Sequence, residues 1–499
     1  MSTINTNNLR VKNAKNFVSS LQTDDTYLFV GRPIAWDETP TVNNGVGALY
    51  NATDNSPPKP SNSLREYNSV HDEMISLNKI LQTEVYHMIP RNTWTSGAVY
   101  DTYRHDYSET NRSYSGASNL YNTTFVIINQ NNDIYVCLDN DKNTQSTVEP
   151  QNTGNEPFYT SDGYQWLRIY SINSTDSFDF STNNYIPVTN TNVVTTISGA
   201  VYTAIIEVPG NNYTGSPSGV VNNIPYYYCN IVGDGTGAVA RVSVSGGSVI
   251  KLEVVRPGSG YTHGTVQFIA NKTYQSLGDL DSDANGLNPL GDGTFSATVI
   301  PQPPGGWGTD TIRELGGTRV GVFSSLNYDL YYYTQSSTFR QVGILQGPSF
   351  TSQSAPTVAT AYNSVKVTDL GGVSDYSVGE TIIQITIDDG VTTTAKGTLV
   401  GWDKTNGVLR YIQDNEFHSD TDGILKPFTG SAYIQGESSG KITQPDLTFT
   451  GTSTEVSFSS GYSAPLLTPY TGYVSYLTNI SPVLRTLTQT ERVRLIIGY

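Results

Sequence analysis

Three short stretches of the chain carry residue types that could bind an ion or a nucleotide. The first places oxygen donors and a glycine at the spacing of a calcium loop, at Asp281, Asp283, Asn285, Gly286 and Asp292. Its twelfth position is an aspartate where a bidentate glutamate is usual, Pro289 lies inside it, and neither flank has a helical pattern. These departures favour a polar turn over a calcium site, and we expect that calcium is not needed for stability.

Two glycine-containing stretches resemble phosphate-binding loops. Residues 233–237 are Gly-Asp-Gly-Thr-Gly, and the residues after them alternate between apolar and polar as in a strand. A pyrophosphate site instead needs such glycines at the start of a helix. Gly436 to Lys441 is one residue short of the phosphate-loop spacing, and Ile442 stands where a magnesium-binding hydroxyl is required. The sequence therefore predicts a structural turn at the first stretch and no nucleotide site at the second.

Nothing in the spacing of the remaining reactive residues predicts catalysis. The five histidines never fall at zinc-binding spacing, and His71 and His87 are interpreted as helix-surface or interface residues. The chain has no Gly-x-Ser-x-Gly nucleophile motif, and paired catalytic carboxylates cannot be recognised among 44 acidic residues without geometry. We predict that the protein is not an enzyme, with no catalytic residue, cofactor or metal ligand to assign.

The composition is that of an all-β protein. Charged residues make up only 14% of the 499 residues, while Gly (46) and Tyr (34) are abundant and the good helix formers are scarce. The formal net charge of −16 and the lack of a basic run argue against a nucleic-acid partner. The length alone suggests two to four domains.

The cysteines and the N-terminal residues bear on the cellular compartment. Cys137 and Cys229 are too few for a disulfide framework, so we predict two buried thiols in a protein assembled in a reducing cytoplasm. The first seventeen residues contain no apolar signal region, and no stretch approaches 18 uninterrupted apolar residues. We therefore expect neither signal-peptide export nor insertion in a membrane.

The first part of the chain alternates short strands with one helix. Ser63 and Glu66 have capping-box spacing, although Asn68 or Ser69 could equally start a helix. Apolar residues recur every three or four positions from Val70 to Leu81, which predicts a helix near 63–89. Strands are predicted at 26–31, 121–128, 133–138 and 162–172. In the last of these strands the aromatic residues Tyr164, Trp166 and Tyr170 share one parity.

From about residue 200 an internal repeat appears. Pro209 to Thr214 recurs as Pro257 to Thr262, and Gly-Asp-Gly-Thr at 233–236 recurs at 291–294 in the same order. Farther on, residues 365–413 alternate strongly, with hairpin signals at 389–390 and 406–407, which predicts a second small barrel or sandwich. We divide the chain into a core (1–199, 306–350 and 446–499) and two inserted β modules (200–305 and 351–445).

The last stretch of the chain is predicted to be part of the core. Val493, Leu495 and Ile497 alternate with their neighbours, so the end of the chain is predicted to be a strand with one buried face. Its partner strands must come from residues far back in the sequence.

A colinear set of motifs resembles the baseplate wedge protein of T-even-like contractile-tailed phages, the gene product eight family. The motifs are FVGRPIAW (29–36), MIPRNTW (88–94), IYVCLDN (134–140), DGYQWLRIYSI (162–172), FRQVGIL (339–345) and YLTNISPVLRTLTQTERVRLII (476–497). The resemblance covers about residues 26–191, 309–347 and 472–499. The two inserted modules have no counterpart in it.

The resemblance implies a structural protein with no catalytic residues. It implies a layered antiparallel β-sandwich core with helix-bearing loops, into which the small β modules are inserted. It implies a homodimer that contacts other wedge subunits, is assembled in the host cytoplasm and resides in the virion at the tail baseplate. An alternative is a tail-associated carbohydrate-binding protein or adhesin, because tyrosine and tryptophan can stack on sugars. Aromatic residues are, however, also favoured in strands and at protein interfaces generally.

Overall fold

The fold is all-β, as the composition predicts. In a computed structural model, 44% of the chain is strand and 11% is helix, and the sheets are antiparallel. The structure describes residues 6–38, 52–189, 197–213, 219–221, 224–268, 294–327, 336–352, 354–388, 390–420, 422–486 and 489–499.

These residues contain five α-helices and 29 strands. The helices are α1 Asn7–Thr23, α2 Leu64–Glu73, α3 Ser174–Phe180, α4 Thr311–Glu314 and α5 Asn415–His418. The strands of the first half are β1 Thr26–Gly31, β2 Met74–Lys79, β3 Val85–Pro90, β4 Val126–Ile128, β5 Asp133–Asp139, β6 Phe158–Tyr159, β7 Gln165–Ser171, β8 Tyr185–Val188, β9 Val201–Val208, β10 Gly219–Val221, β11 Ile224–Gly233, β12 Thr236–Ser245 and β13 Ser248–Ser259. Those of the second half are β14 Gly264–Phe268, β15 Ser296–Pro301, β16 Arg319–Leu326, β17 Thr338–Gln346, β18 Val358–Thr360, β19 Asn363–Asp369, β20 Thr381–Asp388, β21 Val391–Asp403, β22 Val408–Ile412, β23 Ile434–Gly436, β24 Ile442–Pro445, β25 Gly451–Ser453, β26 Val456–Phe458, β27 Tyr462–Ser463, β28 Tyr473–Leu484 and β29 Glu491–Gly498.

The chain forms two compact units, each built from separate pieces of sequence. The first unit comprises Met1–Lys15, Tyr86–Gly321 and Ile496–Tyr499, and the second comprises Asn16–Val85 and Val322–Leu495. Each unit is described on its own below.

A five-stranded antiparallel sheet with the order β18-β2-β1-β17-β28 lies in the second unit. Its central strand β1 has the predicted bounds, and all six of its residues are buried. Leu345 of β17 pairs with Tyr27 of β1, and Ile344 of the same strand pairs with Tyr476 of β28. Strands that are more than 300 residues apart in sequence therefore share one sheet.

The predicted long helix near 63–89 is wrong in its extent. Ser63 caps α2 as predicted, since its side chain accepts a hydrogen bond from the Glu66 amide, but the helix ends at Glu73. The next six residues form β2, which pairs with β1 on one side and with β18 on the other. Val70 and Leu77 bury their side chains in the same core cluster, so the apolar stripe exists without a continuous helix. Pairing on both edges of β2 outweighs its helical periodicity.

A four-stranded sheet with the order β4-β5-β7-β6 forms the centre of the first unit. A β-bulge interrupts the pairing of β7 with β5, because Tyr135 pairs with Arg168 while Ile134 pairs with Tyr170. The extra residue transfers Tyr170 to the opposite face from Trp166, and the two side chains lie in different core clusters. The shared parity of the aromatic residues in this strand therefore does not place them on one face.

The first inserted segment forms a seven-stranded sheet made wholly of β9 to β15. Its first and last strands pair with each other, and Val201 is the register partner of Pro301, so the ends of the segment lie side by side. The two copies of the repeat exchange matching hydrogen bonds. The Tyr213 amide donates to the Gly247 carbonyl (2.9 Å), and the Tyr261 amide donates to the Gly199 carbonyl (3.0 Å). Both pairs follow from one shift of 48 residues, which is the signature of a pseudo-two-fold axis.

The second inserted segment contains a closed barrel. Strands β22, β21, β20, β23, β24 and β19 follow one another, and a further pairing of β19 with β22 closes the ring. The hairpin predicted at 389–390 joins Asp388 to Val391, with Asp389 itself outside the described residues. The hairpin predicted at 406–407 joins Asp403 to Val408 through a longer loop. Closure removes free strand edges from this segment.

The terminal strand β29 is the edge strand of a four-stranded sheet with the order β29-β16-β3-β8. Leu495 and Ile497 are buried, whereas Val493 is only half-buried. The predicted alternation is therefore confirmed for the last two apolar positions of the strand.

Candidate functional site

The stretches that resemble ligand loops in the sequence have structural roles where the structure describes them. The candidate calcium residues Asp281, Asp283, Asn285 and Asp292 lie outside the described residues. Gly233 ends β11, and the strand β12 follows the turn, so the geometry of a phosphate-binding helix start is missing there. The Asp234 carboxylate in this turn accepts hydrogen bonds from the side chain and the amide of Thr262, and these bonds hold the pKa of Asp234 well below its usual range.

Residues 436–441 form the turn between β23 and β24. The Glu380 carboxylate accepts hydrogen bonds from the amides of Ser438 and Ser439, and Lys441 forms an ion pair with Asp369 at 2.7 Å. The lysine that mimics a phosphate-loop lysine is therefore committed to a structural ion pair.

The interpretation of two histidines as surface residues is wrong. His71 is 7% exposed on α2, and His87 is 8% exposed and lies on strand β3 instead of a helix. Burial lowers the pKa of both imidazoles to about 4, so both are neutral at neutral pH. Among the residues that the structure describes, no group of three His, Cys, Asp or Glu side chains is placed to hold a metal ion.

The prediction of two buried thiols is confirmed. Cys137 and Cys229 are free and fully buried, and burial raises the pKa of both thiols. Neither cysteine is therefore a reactive nucleophile. Over the described part of the chain, no helix is long and apolar enough to cross a membrane.

A groove of about 410 Å³ in the first unit is the candidate site. One wall comes from the segment 102–114 and from the turn 139–143 that follows β5. The other wall comes from β9 and β13 of the first inserted segment. The Thr203 hydroxyl donates to the Leu138 carbonyl at 2.7 Å and fixes the two walls to each other at the floor.

The turn that follows β5 has a strained backbone. Asp141, Lys142 and Asn143 have φ angles of 46°, 61° and 65°, which places three consecutive residues other than glycine in the left-handed region. Such a conformation costs about 1–2 kcal/mol per residue, less for Asn and Asp, whose side chains can bond locally. Strain of this kind persists only where surrounding contacts determine the conformation, and it concentrates at functional sites.

The contacts that hold this turn come from Asn140. Its side-chain amide donates to the Tyr100 carbonyl and to the Asn143 side chain, both at 2.8 Å, while its oxygen accepts from the Asn143 amide at 3.0 Å. A side chain at Gly163 would lie 2.8 Å from the Asp141 carboxylate, so a glycine is required beside the turn. These contacts hold the backbone of the turn in its left-handed conformation.

One carboxyl group of the groove has a perturbed acidity. Asp139 accepts a hydrogen bond from the Asp141 amide at 3.0 Å, and burial raises its pKa to about 6. A raised pKa in a concave site marks a candidate functional group. Sequence analysis missed this groove, because its residues come from four separate segments whose polar and aliphatic residues form no recognisable motif. The Asp-Asn-Asp-Lys-Asn run at 139–143 predicts a turn but not its handedness.

Comparisons with known proteins identify no relative. No model of a known protein family matches the chain, and no curated protein gives a significant match.

Proposed function

We propose that this chain is a structural component of the baseplate wedge of a contractile phage tail. In this role it binds other wedge subunits during tail assembly and host attachment, acts as a homodimer, is assembled in the host cytoplasm and resides in the virion. The proposal starts from the resemblance of the six colinear motifs. It includes no catalytic turnover, no cofactor and no nucleic-acid partner.

The observation that carries the proposal is the placement of those motifs in the fold. In the second unit, the motifs at 29–36, 339–345 and 476–497 contribute three successive strands, β1, β17 and β28, to one sheet. In the first unit, the motifs at 134–140 and 162–172 form the paired strands β5 and β7. The Trp94 amide of the motif at 88–94 donates to the Ile128 carbonyl of β4, which pairs with β5.

Most strands of the segments without a counterpart form sheets of their own, although β18 of the second inserted segment pairs with β2 in the core sheet. Strands β9 to β15 belong to one sheet that no resembling segment enters, and the barrel strands β19 to β24 belong to another. A framework common to a family, with additions that fold as separate sheets, produces this division. The division supports the family resemblance because it does not depend on the motifs themselves.

Labelling of tails tests the location. An epitope tag is inserted at the exposed turn Gly246, and in a second strain at the exposed turn Gly423, where a side chain on either glycine would meet no neighbouring atom. Both tags are expected to direct antibody to the baseplate of intact virions in electron micrographs. Labelling at fibre tips alone would favour the adhesin alternative, and the absence of both tags from purified virions would refute a virion role.

Co-purification tests assembly. The full chain, expressed with the wedge proteins of the same phage, is expected to elute as a dimer alone and as a larger complex with them, with masses measured by light scattering. A monomer that joins no complex would contradict the proposal. Hydrolysis of host polysaccharide by the purified protein would contradict its non-enzymatic part.

A further inference from the structure

The groove of the first unit has the size and construction of a small-molecule site, which a purely structural role does not require. Its volume of about 410 Å³ lies within the range of about 300–1,000 Å³ that is usual for ligand pockets. One of its walls is the left-handed turn at 139–143. The other wall contains apolar side chains, among them Ile205 and Leu252.

Three of the positive charges that line the groove are already paired with carboxylates. Arg104 forms an ion pair with Asp106 at 2.7 Å, Lys251 forms one with Glu253 at 2.7 Å, and Arg112 is paired with Glu109. The Lys142 ammonium group donates to the Ile250 carbonyl. Recognition of an anion needs an uncompensated positive charge, so this arrangement argues against an anionic ligand and leaves the Asp139 and Asp141 carboxyls of the lining as hydrogen-bond acceptors.

The lining also combines fixed polar groups with an exposed aromatic ring. The hydrogen bonds of Asn140 hold the backbone of the turn, and the Asp141 carboxylate in this turn can accept hydrogen bonds. Tyr114 lines the same groove and is 62% exposed, which leaves a ring face available for an apolar surface. The ligand that matches both features has an apolar face and a rim of hydroxyl groups.

We propose that this groove binds a neutral saccharide. An apolar face of a sugar ring packs on Tyr114, and its hydroxyl groups donate to the carboxylate of Asp141 and to its neighbours in the turn. Because the turn already has this conformation in the folded protein, the loss of its conformational freedom does not reduce the binding affinity. The sugar is bound and not cleaved, so this inference goes beyond the structural role without replacing it.

Saturation-transfer NMR and calorimetry test the proposal with named probes. The probes are the methyl glycosides of glucose, galactose, N-acetylglucosamine and N-acetylgalactosamine, with glucose 6-phosphate as a charged comparison. At least one neutral glycoside is expected to bind the full-length protein, and Tyr114→Ala and Asp141→Asn are each expected to weaken that binding at least tenfold. Tyr433→Ala, at a similarly exposed tyrosine that does not line the groove, is the matched control and is expected to bind as the unmodified protein does.

Three results would overturn the proposal. They are the absence of binding by every neutral glycoside at millimolar concentration, equal binding by the groove variants and the unmodified protein, and stronger binding of the phosphorylated sugar. Circular dichroism of each variant shows whether it is folded, and Asp141→Asn, which keeps the size of the side chain, provides the test if Tyr114→Ala is unstable. The tagged-tail experiment is independent of these results, so each proposal can fail alone.

Discussion

Arg32 and Glu73 form an ion pair in which the two side chains are 1% and 0% exposed. The pair joins the end of β1 to the end of α2, and the Arg32 amide also donates to the Glu73 carbonyl at 3.0 Å. The Arg32 guanidinium lies over the Trp36 ring at 4.7 Å. Burial raises the pKa of Glu73, so this carboxyl group needs the Arg32 guanidinium beside it in order to remain charged.

Removing one partner of this pair is expected to destabilise the protein strongly. Arg32→Met leaves the Glu73 carboxyl buried without its counter-ion, and the free energy of unfolding should fall by about 3–5 kcal/mol in a denaturant titration. Arg112→Met breaks the exposed pair with Glu109 and should cost about 0.5 kcal/mol or less. A loss below about 1 kcal/mol for Arg32→Met would show that the buried pair does not stabilise the fold.

The pH dependence of stability is expected to depend on Asp414, which caps α5. Burial raises the pKa of Asp414 to about 7, so its contribution to stability is complete below its ordinary pKa and is lost as the pH rises through 7. Asp72, Glu73 and Glu416 add negative charge around it, and Arg32 opposes them. Asp414→Asn should remove the part of the stability loss between pH 5 and pH 8 that this carboxyl causes.

The contribution of His418 to stability has the opposite dependence on pH. Burial lowers its pKa to about 4, so its contribution is complete above its ordinary pKa and is lost as the pH falls through 4. Melting curves at pH 5, 6.5 and 8 separate the two groups, because only the Asp414 contribution weakens toward pH 8. Asp422→Asn, at an exposed position, is the control and should keep the wild-type slope. An unchanged slope for Asp414→Asn would contradict the assignment.

The strain in the turn after β5 predicts a stabilising substitution. Lys142 has a φ of 61°, which glycine adopts freely, so Lys142→Gly should raise the free energy of unfolding by about 0.5–1 kcal/mol after the entropic cost of glycine. Gln145→Gly, just beyond the strained residues, relieves no strain and should lower it. A destabilised Lys142→Gly protein would show that the turn is not strained.

Excision of the first inserted segment is expected to leave a folded protein. The Gln302 amide donates to the Ala200 carbonyl at 3.0 Å, so a short Gly/Ser linker can join these two residues in place of 201–301. The remaining core loses the buried Ile300, which should cost about 2–5 kcal/mol. A single cooperative melt at a lower temperature is the expected result, whereas aggregation of a well-expressed deletion without a melt would show that the core needs the segment.

Truncation at Arg492 tests the terminal strand. It removes the buried side chains of Leu495 and Ile497, each of which contributes about 1.5–3 kcal/mol as an upper estimate. Since whole domains are stable by about 5–15 kcal/mol, the truncated protein should melt at a much lower temperature or fail to fold. Val493→Ala, at a half-buried position, should cost less than Leu495→Ala. Melting of the truncated chain within a few degrees of the full chain would exclude a role for β29 in the core.

The features that sequence patterns predicted are those set by local alternation and turn chemistry. Strand β1, the hairpins near 390 and 407 and the repeat were all predicted from nearby residues. Helix α1 was missed although Val11, Ala14, Val18 and Leu21 recur at helical spacing, because its many asparagine and serine residues are poor helix formers. The end of α2 was misplaced because its limit is set by pairing with strands that are distant in sequence.

The groove could not be predicted for a different reason. Its left-handed turn depends on hydrogen bonds from Asn140 to Tyr100, forty residues away, and on a glycine at position 163. Residue types alone do not determine a backbone angle, and a lysine such as Lys142 does not indicate a positive φ. The raised pKa of Asp139 likewise follows from burial, which depends on the inserted segment that forms the second wall.

The paired hydrogen bonds of the first inserted segment indicate how this segment evolved. The Tyr213 amide of the first repeat donates to the Gly247 carbonyl ahead of the second copy, and the Tyr261 amide of the second repeat donates to the Gly199 carbonyl ahead of the first. Each repeat is therefore hydrogen-bonded to the other in the same way. Two separate copies of one half could make the same bonds across a true two-fold axis. The segment thus has the form of a dimer whose halves were joined by gene duplication and fusion, and their sequences have since been free to diverge, with each copy fitted to its own neighbours.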